Sequence, residues 1–312
     1  MHMKTLRLGT RGSNLALHQA EEVASRLAGA HQNLQMEICV IRTVGDKVLD
    51  VALSRIGDKG LFTREIELAL LEGEIDLAVH SLKDLPSELP PGLALVAVLP
   101  RVNPADVLLS RGEKCLDELP AGAVIGSSSL RRCAQLKAYR PDLDVVDIRG
   151  NVETRIRKME EQGLDAIILA YAGLSRLGLE ASITQVLPAE IMLPAAGQGA
   201  IAVEIRENDS HTRELLQAIK SETTETEIIA ERAFLRELEG GCQVPIACLA
   251  RVDGSELLLQ GLVASLDGSR VVRGQWAGNK DTAKTAGIEL AAHLNEQGAR
   301  EILENIRLAG EK

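Results

Sequence analysis

Aromatic residues, paired cysteines and long apolar runs are all scarce in this 312-residue chain. Phe, Trp and Tyr make up 2% of it, so the cores must be built from Leu, Ile, Val and Ala. Without aromatic platforms for bases, single-stranded nucleic-acid binding is disfavoured. The net charge of −10 points the same way, because phosphate binding needs a cationic face. No run approaches the roughly 18 apolar residues of a membrane span, so we expect no membrane partner.

The five cysteines and six histidines show no pairing pattern. The cysteines are odd in number and widely spaced, without a CxxC pair, which indicates reduced thiols and a cytoplasmic location. The N-terminus has no apolar signal region. The histidines lack ligand spacing, so we expect no metal site.

One predicted strand ends in a cluster of ionisable groups. The apolar run 75–79 predicts a buried strand, and His80, Ser81, Lys83 and Asp84 follow it. Because α/β folds bind ligands beyond the carboxyl ends of their strands, we expect a functional site here. Asp84 is the only carboxylate in this cluster.

A second candidate for ligand binding lies near the N-terminus. Residues 6–9 predict a strand, and Ser13 is placed to cap the next helix. A strand, a Gly-containing turn and a capped helix N-terminus form a common anion-binding arrangement. Arg11 and Ser13 are therefore candidates for binding a carboxylate or phosphate, and a capped helix without a ligand is the alternative.

Arginines recur at strand ends in the middle of the chain. The predicted strands 123–126, 144–148 and 165–169 each lead through a polar or Gly-containing turn into a helix. In an α/β unit such turns share one rim of the sheet. Scattered, solvated arginines are the alternative. On that rim we expect Arg131, Arg132, Arg149, Arg155 and Arg176.

Two segments predict crossings between domains. The run Pro194–Ala202 contains G-x-G-x-x-A, but it follows a Pro-led turn and precedes a strand, so a dinucleotide fingerprint is rejected. With residues 100–104 it predicts two hinges of a domain pair that closes on a ligand. The long polar segment 43–60 predicts a mobile lid.

The C-terminal third predicts a small α+β domain around Cys242. A helix over 223–239 is followed by three strands between 246 and 276 and a last helix over 281–306. Cys242 is the only cysteine in a Gly-rich turn. The negative end of the preceding helix disfavours a thiolate there, so a covalent attachment made once fits better than a nucleophile used each turnover. An exposed thiol without a role is the alternative.

Eight runs, in order and over nearly the whole chain, resemble the porphobilinogen deaminase (hydroxymethylbilane synthase) family. The resemblance implies an α/β protein with two periplasmic-binding-protein-like, doubly wound domains joined by two hinges, plus a small α+β third domain. We expect domain 1 at 1–99 and 200–217, domain 2 at 105–193 and domain 3 at 222–312. The runs are Gly9–Ser13, Gly45–Lys47, Gly57–Thr63, His80–Pro86, Ser127–Arg132, Asp147–Val152, Pro194–Gly199 and Glu239–Pro245.

The resemblance also implies a function. It indicates a monomeric transferase that joins four porphobilinogen molecules head to tail on a covalent dipyrromethane primer, releases ammonia, and then hydrolyses off hydroxymethylbilane. By motif, Cys242 carries the dipyrromethane through a thioether and Asp84 is the catalytic carboxylate. Cys248, close in sequence, is a rival attachment point. The segment from Lys59 to Phe62 would be a lid that excludes water.

The substrate's chemistry agrees with the arginine-rich strand ends. Each pyrrole carries an acetate and a propionate, and guanidinium groups bind carboxylates bidentately. The single carboxylate of Asp84 would stabilise the cationic intermediates and move protons. The residues expected on cofactor and substrate are Arg11, Ser13, Ser81, Lys83, Ser127, Ser128, Ser129, Arg131, Arg132, Arg149, Asn151, Arg155, Arg176 and Gln198.

Three other functions agree less well with the sequence. A hinged, non-catalytic binding protein for a polycarboxylate would share the arginines and hinges but would need neither the third domain nor Cys242. A cysteine hydrolase lacks a third catalytic member beside Cys242 and His80. A zinc enzyme lacks ligand spacing.

Overall fold

The computed structural model describes residues 5–47, 62–238 and 244–310, which form thirteen strands and ten α-helices. The strands are β1 (Thr5–Thr10), β2 (Gln35–Val40), β3 (Leu77–Ser81), β4 (Leu93–Val98), β5 (Asp106–Ser110), β6 (Val124–Gly126), β7 (Asp144–Val146), β8 (Ala166–Ala170), β9 (Gln185–Val186), β10 (Ile201–Arg206), β11 (Ile246–Asp253), β12 (Glu256–Ala264) and β13 (Val271–Asn279). The helices are α1 (Asn14–Ala30), α2 (Val44–Lys47), α3 (Arg64–Leu71), α4 (Leu130–Tyr139), α5 (Val152–Glu161), α6 (Tyr171–Arg176), α7 (Ser210–Leu216), α8 (Glu222–Glu237), α9 (Ala283–Glu296) and α10 (Ala299–Gly310).

The described residues divide into two units. Unit 1 contains residues 5–47, 62–102 and 199–225. Unit 2 contains residues 103–198, 226–238 and 244–310. In the described ranges the chain passes between the units after residues 102, 198 and 225, and the first two of these points lie within the two segments that the sequence predicts as crossings.

Unit 1 is built on a five-stranded sheet in the order β2-β1-β3-β10-β4. β1 pairs in parallel with β2 and β3, and β10 runs antiparallel to both β3 and β4. Apolar side chains cover both faces, which is typical of a doubly wound sheet. Leu8 and Val23 belong to the core on the α1 side, and Ile66 and Leu70 of α3 pack on the other.

The first sheet of unit 2 repeats this order with different strands. Its order is β7-β6-β8-β5-β9, with β6 parallel to β7 and β8, and with β5 antiparallel to β8 and β9. In unit 1 the antiparallel strand β10 lies between β3 and β4, and in unit 2 the antiparallel strand β5 lies between β8 and β9. This repetition confirms the prediction of two α/β sheets of one type.

The second sheet of unit 2 is antiparallel, in the order β11-β12-β13. One of its faces packs against α8, α9 and α10 around the fully buried Phe234. Its other face meets α4, where Leu249 and Leu262 pack with Ala134. The predicted small third sheet is confirmed.

The structure corrects three predictions of elements. The last helix is two helices, because Gly298 adopts a positive φ of 105° between α9 and α10. β5 and the two-residue β9 were not predicted, although β5 is as long as β3 and β8. The sequence predicts Thr63 as the N-cap of α3, but its hydroxyl makes no capping hydrogen bond.

Domain boundaries remain predictions. The predicted domains 2 and 3 both fall largely within unit 2, and their division at residues 193–222 is not tested by the division into units. The predicted start of domain 3 at residue 222 coincides with the first residue of α8, whose first four residues are grouped with unit 1.

A glycine allows the third sheet to approach α4. Gly268, in the turn between β12 and β13, has φ = +73°, and a Cβ there would lie 2.5 Å from the backbone nitrogen of Ala138. We expect Gly268→Ala to lower the free energy of unfolding by about 1–3 kcal/mol, as overpacking does, measured by urea denaturation.

Gly254→Ala is the matched control. Gly254 also has a positive φ, of 59°, but nothing lies within 4 Å of the position of its Cβ. The difference between the two variants therefore isolates the packing contribution. Equal losses of stability would contradict a close packing of this turn on α4.

Candidate active site

The carboxyl end of β3 carries the first part of the site, in unit 1. β3 ends at Ser81, and a 3₁₀ turn over Leu82–Asp84 follows at once. The Ser81 hydroxyl is hydrogen-bonded to the side-chain amide of Gln19, at 2.9 Å from Nε2 and 3.1 Å from Oε1. Ser81 is therefore held to α1, while Asp84 lies half-buried at the edge of the sheet.

The N-terminus of α1 is the second part of the site. The backbone N–H of Ala16 donates to the Ser13 hydroxyl at 3.3 Å, which confirms the predicted cap. The guanidinium carbon of Arg11 lies 4.2 Å from the centre of the Phe62 ring. This cation–π contact orients Arg11, and Phe62 is the one residue of the predicted lid pair that the structure describes.

A small cavity joins these two parts. Its volume is about 60 Å³, which is room for a few water molecules. It brings together Arg11, Ser13 and Asp84, as the sequence predicts, and adds Gln19 and Thr63, which were not predicted as site residues. The polar residues that line it are Arg11, Ser13, Gln19, Thr63, His80, Ser81 and Asp84.

The corresponding edge of unit 2 carries the predicted serines and three of the arginines. Ser127, Ser128 and Ser129 follow β6, Arg149 and Asn151 follow β7, and Arg176 ends the helix after β8. Because β6, β7 and β8 are parallel, these residues share one edge of the sheet.

Local hydrogen bonds shape the backbone of this edge. The Ser128 hydroxyl donates to the carbonyl of Ile148 and accepts from its N–H. The sequence predicts Asn151 as the cap of a helix that runs to Glu161, and in the structure Asn151 accepts from the N–H of Thr154 at 2.8 Å at the start of α5. The Nε of Arg155 donates to the carbonyl of Gly150 at 2.8 Å. Arg149, Arg155 and Arg176 are half-buried.

Arg131 and Arg132 differ from the expectation of an open rim of arginines. Both guanidinium groups are buried and bind Asp106, the first residue of β5. The Nε and Nη2 of Arg132 lie 3.0 Å and 2.7 Å from one carboxylate oxygen of Asp106. Gln198 donates to the same oxygen at 2.9 Å and to the carbonyl of Pro104 at 2.7 Å.

The charges of the two arginines keep Asp106 ionised. We refer to Asp106, Arg131 and Arg132 as the Asp106 group. Burial opposes ionisation of Asp106, but the two guanidinium groups outweigh it and hold the pKa of that carboxyl well below its usual range. Burial lowers the pKa of Arg132, and Asp106 opposes that effect. One carboxylate and two guanidinium groups leave one net positive charge. Asp106 was missed in the sequence, because an acid beside a predicted hinge gives no signal of its partners.

Two predicted residues lie outside the described residues. They are Cys242, the predicted attachment point, and Lys59 of the predicted lid. The rival cysteine, Cys248, is fully buried in β11, and its Sγ lies 3.8 Å from the carbonyl oxygen of Glu231. A side chain enclosed in this way has no room for a bulky covalent group, so the structure disfavours Cys248.

Other features of the described residues do not add to the site. A larger cavity of about 240 Å³ between α8, α9 and α10 contains none of the predicted site residues. Within the described ranges, no three acidic, His or Cys side chains are grouped as metal ligands would be. Nor is any helix of these ranges both long and apolar enough to cross a bilayer.

Comparison with known proteins gives one family. Residues 6–214 match the family described as porphobilinogen deaminase, dipyromethane cofactor binding domain, and residues 225–296 match porphobilinogen deaminase, C-terminal domain. The chain is 59% identical to the porphobilinogen deaminase of Syntrophomonas wolfei, over 96% of this chain and 98% of that protein. It is 54% identical to the porphobilinogen deaminase of Pelotomaculum thermopropionicum, over 97% of each.

Similarity to solved structures is much weaker. The periplasmic VFT2 domain of Bordetella pertussis BvgS aligns with a TM-score of 0.42 and 15% identity, over 69% of this chain and 86% of that domain. A likeness at this level has no bearing on function.

The Asp106 group yields a prediction. Asp106→Asn would leave two buried guanidinium groups without their counter-ion, so we expect a loss of about 3–5 kcal/mol in the free energy of unfolding, measured by urea denaturation. Because the folded-state pKa of Asp106 is depressed, its contribution is present above the unfolded-state pKa and is lost as pH falls through the folded-state value.

Asp144→Asn is the control, since Asp144 is an exposed aspartate in the same unit. That variant should unfold within about 0.5 kcal/mol of the parent. If the two variants were equally stable, the buried ion group would have no structural role.

Proposed function

Because the chain belongs to the porphobilinogen deaminase family, we propose that Asp84 is its catalytic carboxylate and that both sheet-edge sites bind substrate carboxylates. The protein is a deaminating transferase, a hydroxymethylbilane synthase. It joins four porphobilinogen molecules head to tail with loss of ammonia and releases the linear tetrapyrrole. The family therefore favours the enzyme over a non-catalytic binding protein.

The observation that carries the proposal is a single carboxylate among donor groups. Asp84 shares its cavity with Arg11, Ser13 and Ser81. Arg11 and the hydroxyl groups would bind a carboxylate of porphobilinogen. Asp84 would then face the pyrrole N–H, where its negative charge stabilises the cation that forms when ammonia leaves and can accept a proton.

The unit 2 edge supports binding of several carboxylates. We assign Arg149, Arg155 and Arg176 to the acetate and propionate groups of the growing chain, with Ser127, Ser129 and Asn151 as neutral donors. Lys83 would act similarly beside Asp84. Arg131, Arg132 and Gln198 bind Asp106, so we propose that they attract carboxylates through the net positive charge of that group.

The donor groups also fit the family's cofactor. The matched family domain is described as binding dipyrromethane, which carries acetate and propionate groups suited to the same arginines. When bound, dipyrromethane supplies the primer to which porphobilinogen is added. Attachment to Cys242 stays a prediction, and so does a water-excluding lid at Lys59 and Phe62.

The proposal also covers oligomeric state, cellular location and nucleic-acid binding. We infer a monomer that acts in the cytoplasm without a nucleic-acid partner. The widely spaced cysteines and the net charge of −10 support the last two statements.

The role of Asp84 can be tested by removing its charge. We expect Asp84→Ala and Asp84→Asn to fold normally and to lower kcat by about 10²–10⁴-fold, because the cationic intermediate loses its counter-charge. Single-turnover release of ammonia is the measurement, with circular dichroism to check folding. A glutamate variant that keeps more activity than the asparagine variant would show that the charge matters, whereas near-normal turnover by Asp84→Ala would refute the role.

The attachment point can be tested by mass. We expect the intact mass of the purified parent chain to exceed the chain mass by two substituted pyrroles, and that of Cys242→Ser to equal the chain mass. Cys248→Ser is the matched control and should keep the added mass. Added mass on Cys242→Ser would place the thioether elsewhere.

A further inference from the structure

Behind the wall of the unit 1 cavity, three titratable side chains are buried together. His80 in β3 and Glu204 in β10 lie on neighbouring antiparallel strands, where His80 pairs with Ala202 and Glu204 with Ala78. Because side chains alternate along a strand, both point to the same face of the sheet. Glu67 of α3 is buried against that face. We refer to His80, Glu204 and Glu67 as the acid cluster.

The acid cluster is largely buried, and His80 also lines the cavity. Side-chain exposure is 3% for His80 and 0% for Glu204, and the exposure of the whole residue is 6% for Glu67. The Nε2 of His80 lies 3.2 Å from Oε2 of Glu204, close enough to pair as ions, but at an angle that leaves both atoms without a hydrogen bond. The cluster therefore lies directly behind the surface that Arg11 and Asp84 share.

Several polar atoms of this region lack partners. Among the described residues, no hydrogen bond reaches either carboxylate oxygen of Glu204 or Nε2 of His80. Buried polar groups are nearly always hydrogen-bonded. Protons shared among these groups would supply the missing donors, since a carboxylic acid and an imidazolium both donate.

Charge balance sets how many protons the cluster holds. In the described part of the chain, no Lys or Arg is hydrogen-bonded to Glu67 or Glu204. On α3, Arg64 is exposed and Glu65 accepts from the backbone N–H of Val44 at 3.2 Å. Arg206 pairs with Asp76 at the opposite end of these strands, and Arg11, Lys83 and Asp84 lie at the cavity or the turn that follows β3. Two carboxylates and one imidazolium would thus leave one buried negative charge, which is costly.

Glu67 is the group best placed to carry the extra proton. Burial raises the pKa of its carboxyl, and together with the neighbouring carboxylate of Glu204 it outweighs the lowering by the Thr63 hydroxyl and by His80. Two protons shared among the two carboxyl groups and the imidazole make the cluster neutral.

We propose that His80, Glu204 and Glu67 form one neutral, proton-sharing group, and that its neutrality sustains the affinity of the adjacent cavity for a carboxylate substrate. This inference rests on the proposed function of the cavity. His80 and its partners are positioning residues, because they act through the charge behind the site and not on the reacting atoms.

Loss of one proton gives the proposal its consequence. As pH rises, the O–H bond of Glu67 breaks, its proton passes to water, and the electron pair stays on the carboxylate. The cluster then carries one negative charge behind a site that binds anions. At the separation of adjoining side chains this weakens carboxylate binding on the order of tenfold, so KM for porphobilinogen should rise at alkaline pH while kcat changes less.

The first test detects the proton directly. Infrared spectra of the parent at neutral pH should contain a carboxylic-acid C=O band that shifts in deuterium oxide. We expect Glu67→Gln to lose this band and Glu72→Gln to keep it, since Glu72 is an exposed glutamate at the end of the same helix. A parent without the band, or a Glu67→Gln protein that retains it, would overturn the proposal.

The second test measures the pH dependence of KM. We expect an alkaline rise of about tenfold in the parent and in Glu72→Gln, and a flat profile in Glu67→Gln, whose amide cannot ionise. Glu204→Gln should also flatten the profile, because only one carboxyl group then remains beside His80. An unchanged alkaline rise in both cluster variants would exclude the link to binding.

Stability supplies a readout that needs no turnover. The folded-state pKa of Glu67 is raised, so its contribution to stability is fully present below the unfolded-state pKa and is lost as pH rises through the folded-state value. Relative to the parent, Glu67→Gln should gain stability as pH rises, whereas Glu72→Gln should not. The spectra and this measurement stand even if the Asp84 variants were to refute the proposed catalysis.

Discussion

The site at the sheet edge of unit 2 depends on one interaction, the pairing of the buried carboxylate of Asp106 with two arginines. This carboxylate binds the two arginines at the start of α4 and the amide of Gln198. Asp106 lies three residues after the chain enters unit 2, and Gln198 is the last residue before it leaves. The carboxylate of Asp106 therefore links the first two chain crossings to the helix that follows the serine turn. A buried pair of guanidinium groups is tolerated only because this counter-ion is present.

The two units differ in the net charge of their buried ionisable groups. The Asp106 group keeps one net positive charge, beneath an edge that carries three further arginines. The acid cluster of unit 1 has a surplus of carboxyl groups over cations, and a proton makes up the difference. Both arrangements suit an acidic substrate, since one attracts carboxylates and the other avoids repelling them. In a chain with a net charge of −10, the sheet edges proposed to bind substrate thus carry arginines.

The sequence predicted the elements whose signals are local. The Asn151 cap and the bounds of α5 follow from neighbouring residues, and the structure agrees. The sequence also predicted that Arg11, Ser13, Ser81 and Asp84 contribute to a binding site. They follow strands, and the topology of an α/β sheet places strand ends side by side. The break at Gly298 was missed, since apolar periodicity continues across it.

Long-range partners were beyond sequence reasoning. Arg131 and Arg132 were expected to be open to ligands, but their partner Asp106 lies 25 residues away from Arg131 in the chain. A long, flexible side chain can point to solvent or to a buried carboxylate from the same backbone position. Here the position of the Asp106 carboxylate beside Arg131 and Arg132 decides between them. The acid cluster was not predicted from the sequence either, because its members come from three separate elements.

The strand order of the first sheet has a consequence for synthesis. β10 separates β3 from β4, and in the described part of the chain β4 pairs with no other strand. β4 ends at Val98 and β10 begins at Ile201. A ribosome must therefore translate the entire intervening sheet before the N-terminal one can close. During that interval the nascent chain exposes unpaired strand edges, which are prone to wrong association, so the earliest part of the polypeptide is among the last to become protected.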